Sequence, residues 1–163
     1  MGEYSVAYRG CRERVAELVA RLDDVELNRR VPACPDWTVR DLTAHIVGVA
    51  ADFSVGNLER VGGDEWTGTQ IAKRADRSVA DLMDEWTELA EQVEPAADLI
   101  PPGAAQMLVG DAVTHEHDMS QVGVPFQQFH SAKRTRGAGS RAGAMSFSPP
   151  SSPTIKESNT WEL

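Results

Sequence analysis

Cysteine is scarce in this chain. Of 163 residues only two are cysteine, Cys11 and Cys34, too few for a disulfide framework. Aromatic residues make up 6%, which favours neither an all-β sandwich nor a base-stacking surface. Basic residues are outnumbered, 16 Lys and Arg against 25 Asp and Glu, for a formal net charge of −9. Nonspecific binding to nucleic acid or to an anionic membrane needs clustered cations, so neither is expected. Long apolar runs are missing too. The longest, Ile46 to Ala51, falls far below the ~20 residues that span a bilayer. Charged residues at Glu3, Arg9, Arg12, Glu13 and Arg14 leave no apolar secretory segment. The expectation is a soluble cytoplasmic protein.

Charge divides the chain. Residues 1–125 hold 11 Lys and Arg against 23 Asp and Glu, whereas residues 126–163 hold five basic residues against Glu157 and Glu162. The latter stretch is rich in Gly, Ser and Pro and has no helical or alternating period, so it reads as a disordered basic tail after a domain at 1–125.

Within that domain four segments follow the helical period. Tyr4, Tyr8, Cys11, Val15, Leu18 and Leu22 form the first stripe, which buries Cys11 as a small core residue. Thr38 and Asp41 form a cap signature for a second helix through Leu42, Ile46, Val49 and Phe53. Trp37 and Leu42 have the spacing of a hydrophobic staple. Ser78 and Asp81 open a third, with Pro95 beyond its end. A fourth runs from about Gly103 to Val122, with Gly123 as its C-terminal cap and Pro125 blocking continuation. Strand signals are weak, and residues 60–77 read as a crossover or a loop over one end. These features predict an all-α fold, a four-helix bundle. Dimerisation through a leftover apolar face is common among bundles.

Polar residues interrupt two of the stripes. On a wheel of ~100° per residue, Asp111 and His115 fall within the apolar arc defined by Leu108, Ala112, Met119 and Val122. His117 lies about 180° away and should face solvent; Asp118 sits on the flank. In the second helix His45 lies on the edge of the buried stripe, with Asp41 and Asp52 on the same flank. An inward carboxylate needs a partner or a proton. Spacing leaves two readings open: a buried network pairing a protonated His45 or His115 with Asp111, or a metal site formed by His45, Asp111 and His115. Two His and one carboxylate leave a coordination position open, as catalytic sites do. The same donors also suit ferrous iron.

The run Val31-Pro32-Ala33-Cys34-Pro35-Asp36-Trp37-Thr38-Val39-Arg40-Asp41-Leu42, followed by His45, resembles the signature of the mycothiol-dependent maleylpyruvate isomerase family, one of the DinB-like four-helix bundles. Asp111, His115-Glu116-His117-Asp118 and Val122-Gly123-Val124-Pro125 resemble its second motif, and the likeness covers roughly residues 8–125. It implies metal ligands at His45, Asp111 and His115, a divalent ion of the zinc type, and mycothiol as the thiol cosubstrate of an isomerase or transferase acting on a small electrophile. The isomerase itself has Glu where this chain has Asp111, so the helices must approach more closely or admit a water. Asp118 or Asp41 would orient a ligand imidazole. Cys34 reads as a packing residue. Family members continue beyond the second motif with ordered sequence, which residues 126–163 do not match; their composition suggests a truncated or frame-shifted end, with catalytic competence in question. The alternative in another class is a metal-holding or metal-free regulatory bundle without turnover.

Overall fold

The computed structural model describes residues 2–59 and 61–122. The expected tail at 126–163, and the expected stops at Gly123 and Pro125, lie outside the described residues. Four long helices dominate: α1 (Glu3–Val19), α3 (Val39–Val55), α5 (Val79–Ala97) and α6 (Pro102–Ser120). α1 and α3 each pack against both α5 and α6, so every long helix has two long neighbours around a shared core. Two short helices, α2 (Asp24–Leu27) and α4 (Asp64–Ala72), and a hairpin of β1 (Arg30–Val31) and β2 (Cys34–Thr38) complete the chain. The described residues are mostly helical, with six helices where four were expected and a small antiparallel sheet where none was. No helix among the described residues is long and apolar enough to cross a membrane.

Helix starts follow from capping. Thr38 and Asp41 exchange side-chain and backbone hydrogen bonds at α3, as do Ser78 and Asp81 at α5 and Asp23 and Glu26 at α2. α1 has no side-chain cap of its own, and Asp98 from the end of α5 supplies one by accepting from the N–H groups of Gly2, Tyr4 and Ser5. α3 stops at Gly56, whose φ of 70° gives the left-handed turn that frees the chain. Pro95 lies inside α5, not past it. It stands in the last turn, so the one hydrogen bond it forfeits does not prevent two further helical residues.

α3 is the central element. Residues 42–50 are all buried, because α5, α6, α4 and the hairpin cover it from different sides. Buried Tyr8, Cys11 and Val15 of α1 meet Leu82, Trp86 and Val93 of α5 and Leu108, Ala112 and Met119 of α6 in one core. Inside it Trp86 Nε1–H donates to Tyr8 Oη at 2.9 Å, with the two rings edge to face. Ion pairs tie the rim: Arg9 and Arg12 to the buried Glu94, Arg14 to Glu116, and Arg74 and Arg77 to Glu85.

Candidate metal centre

His45 sits in the seventh position of α3, about two turns beyond the cap, and is 4% exposed. Asp111 and His115 are a turn apart on the neighbouring α6. Asp111 Oδ1 lies 3.5 Å from His45 Nε2 and 3.5 Å from His115 Nε2. The three side chains form a group able to hold a metal ion, with one ligand atom each, all within 4.8 Å of one another. The helices are therefore close enough for the short Asp arm to reach both imidazoles without a bridging water. His117 is exposed, as its place on the wheel requires.

Hydrogen bonds on the far side of each ring fix which nitrogen faces the centre. Asp52 Oδ2 can only accept, so Gln70 turns its amide nitrogen to it at 2.7 Å and presents Oε1 to His45 Nδ1 at 2.8 Å. His45 Nδ1 then carries a proton. Asp118 Oδ2, 3.1 Å from His115 Nδ1, does the same for the second ring. In the neutral state both Nε2 lone pairs point at a carboxylate oxygen. Three electron-rich atoms face each other at distances long for a hydrogen bond, and Asp111 Oδ2 is buried with no partner among the described residues. This arrangement calls for a cation between the groups, either a proton or a metal ion, and its N, N, O donor set fits a divalent ion.

Electrostatics agree. Burial opposes ionisation of Asp111, but the attraction of the His115 and His45 rings outweighs it and holds the carboxyl down at about 2. His115 shows the same balance with the sign reversed: burial disfavours its charge, yet Asp111 and then Asp118 raise its pKa above the ordinary value.

A cavity of about 230 Å³ opens beside the three residues, walled by Trp37, Val49, Phe53, Trp66 and Met107. The Trp37 ring lies 5.2 Å from His45 and 6.2 Å from His115, and Trp66 stands edge-on to His45 at 6.4 Å. Trp37 thus projects from β2 over the centre, a role beyond the staple that its spacing suggests. Asp41 is committed to the α3 cap, accepting from Thr38 N–H at 2.8 Å and from its hydroxyl at 2.7 Å, so Asp118 alone of the two expected orienting residues reaches an imidazole. Gln70 was not anticipated. It lies on α4, whose weak apolar period gave no reason to place a helix there; the missed signal is its position three residues before Lys73-Arg74, whose Arg anchors α4 to Glu85.

Residues 8–124 match the family model described as the mycothiol maleylpyruvate isomerase N-terminal domain. The chain belongs to that family. The matched span contains all three residues of the centre and both sides of the cavity. Comparison with curated proteins and with solved structures gave no match.

Proposed function

We propose that this protein is a four-helix bundle, of the DinB-like kind, that binds a divalent metal ion, zinc by its donor chemistry, through His45, Asp111 and His115. Its activity is then a mycothiol-dependent isomerisation or thiol transfer on a small electrophile. The observation that carries this reading is the convergence of two Nε2 atoms and Oδ1 on one point, with Asp111 Oδ2 buried and unpartnered among the described residues. Family membership supplies the thiol. A thiol bound to such an ion loses its proton and is a nucleophile at neutral pH without a protein base. Gln70 and Asp118 keep the Nδ1 protons in place and so hold both Nε2 lone pairs toward the centre. Trp37, Phe53 and Trp66 wall the adjoining cavity with apolar surface, which excludes water from an electrophile lying there. Two free cysteines suit a reducing cytoplasm.

The low pKa of Asp111 and the raised pKa of His115 favour a second reading, a regulatory or binding bundle in which an imidazolium–carboxylate pair replaces the ion. The two His and one carboxylate also suit ferrous iron.

Metal analysis of protein purified without added metal, combined with thiol-dependent turnover, separates these. Zinc near one equivalent with thiol-dependent activity is expected. His45→Ala, Asp111→Ala and His115→Ala should each abolish bound metal, and His117→Ala should retain it. A wild-type protein free of metal, or equal loss in all four variants, would overturn the proposal; iron with oxygen-dependent chemistry would reassign it.

A further inference from the structure

His115 belongs to a second cluster. On the side of its ring facing away from Asp111, Nδ1 lies 3.1 Å from Asp118 Oδ2. Cys34, carried by β2, completes a group of three whose ligand atoms, a thiol sulfur, a ring nitrogen and a carboxylate oxygen, all lie within 4.8 Å of one another. Cys34 has no disulfide partner, is half-buried, and feels the Asp118 charge; Asp118 is 9% exposed. The hairpin brings the sulfur here: Val31 pairs with Cys34 across a two-residue turn, and the strand it starts runs directly into α3. Sulfur, nitrogen and oxygen from Cys, His and Asp are the three zinc donor types.

We infer that Cys34, His115 and Asp118 form a second cation site, selective for a thiophilic divalent ion such as zinc and filled through the opposite nitrogen of the imidazole that serves the first centre. Tetrahedral coordination at about 2.0–2.3 Å sets the three atoms roughly 3.3–3.8 Å apart, a closure of up to about 1.5 Å for any pair near the 4.8 Å bound, and leaves one position for water. Filling it after the first centre releases two protons to solvent, one from Cys34 Sγ and one from His115 Nδ1; with the first centre empty the ring proton moves to Nε2 and only the thiol proton leaves. The ion takes the place of the hydrogen bond between His115 and Asp118. With both sites filled, the four positive charges of two ions meet the carboxylates of Asp111 and Asp118, the Cys34 thiolate and a bridging His115 imidazolate, so the pair is neutral overall. The second site stands on its own cluster; only its place after the first in a titration rests on the function proposed above.

Titration of chelator-stripped full-length protein with Co²⁺, without added thiol, tests this. Two equivalents are expected, the second bringing a sulfur-to-cobalt charge-transfer band in the near ultraviolet. Cys34→Ser should lose that band and the second equivalent while keeping the first. His45→Ala should keep the sulfur band and lose the other equivalent. Circular dichroism confirms that both variants hold wild-type helicity. One equivalent without a sulfur band, or a band that survives in Cys34→Ser, would overturn the second site. One equivalent with a sulfur band indifferent to His45→Ala would instead sink the first centre and leave the second standing.

Discussion

A side chain on Gly48 would begin 2.5 Å from Cβ of Gln70. The missing Cβ is what lets α4 close on α3, and only that approach brings the Gln70 amide to His45 Nδ1. Gly48→Ala should push Gln70 and the nearby Arg74 outward, with overpacking costing about 1–3 kcal/mol. Because the Gln70 bond fixes the His45 tautomer, metal affinity should fall roughly 10–100-fold in Gly48→Ala and in Gln70→Ala alike. Isothermal titration with Zn²⁺ against a competing chelator reads this. Wild-type affinity in both variants would show that Gln70 does not serve the centre.

The proton and the metal compete for the same pocket, which sets the pH dependence. His115 has a folded pKa above its ordinary 6.5, so in metal-free protein its charge stabilises the fold below pH 6.5 and that contribution is lost as pH rises through the folded value. Asp111, held at about 2 against an ordinary 3.8, contributes above pH 3.8 and loses that contribution as pH falls toward 2. Chelated protein should therefore show its highest thermal midpoint, as far as this pair decides it, between about pH 4 and 6.5. Metal binding runs the other way, since both Nε2 atoms must be free of protons. The stabilisation gained on adding Zn²⁺ should grow from pH 6 to pH 8 in matched unfolding scans. A gain that shrinks over that range would contradict the assignment.

Much of this centre was legible in the sequence, for a plain reason. Asp111 and His115 interrupt an apolar arc, and a buried polar residue is informative where an exposed apolar one is not. Thr38 and Ser78 announced α3 and α5 because a capping box leaves a local signature. The hairpin left none: its turn is Pro32-Ala33, without the Gly or Asn that two-residue turns usually show. α4 was hidden because its one buried residue is the polar Gln70, and Trp66, packed against the core, sets up no apolar period by itself. The residues that orient His45 were thus the least visible part. Asp118 was expected to orient an imidazole and does, whereas Asp52 looked like an ordinary flank charge until Gln70 was placed against it.

The two thiols should differ sharply. Cys11 is fully buried, and burial followed by the neighbouring Glu116 pushes its pKa up to about 12, so it carries almost no thiolate at neutral pH. Cys34 is half-buried at the mouth of the hairpin. Ellman's reagent should titrate one thiol in native protein and the second only in denaturant, and Cys34→Ser should leave none in the native state. Rapid native modification of both would mean that α1 does not seal Cys11 against α6.

Tyr8 and Trp86, neither of them a residue of the centre, offer a test of the core that should leave metal binding alone. Tyr8→Phe keeps the ring and removes the partner that Trp86 Nε1–H has among the described residues, in a fully buried position. An unsatisfied buried donor costs about 1–3 kcal/mol, so chemical denaturation should show a loss of that size with an unchanged m-value. Trp86→Phe removes the donor but leaves a cavity beside it, and should cost at least as much. Zn²⁺ stoichiometry should stay at the wild-type value in Tyr8→Phe, because α3 and α6 meet at His45 and Asp111 without passing through this pair. If metal were lost together with the 1–3 kcal/mol, the centre would depend on the α1–α5 packing and not, as the distances indicate, on the α3–α6 contact alone.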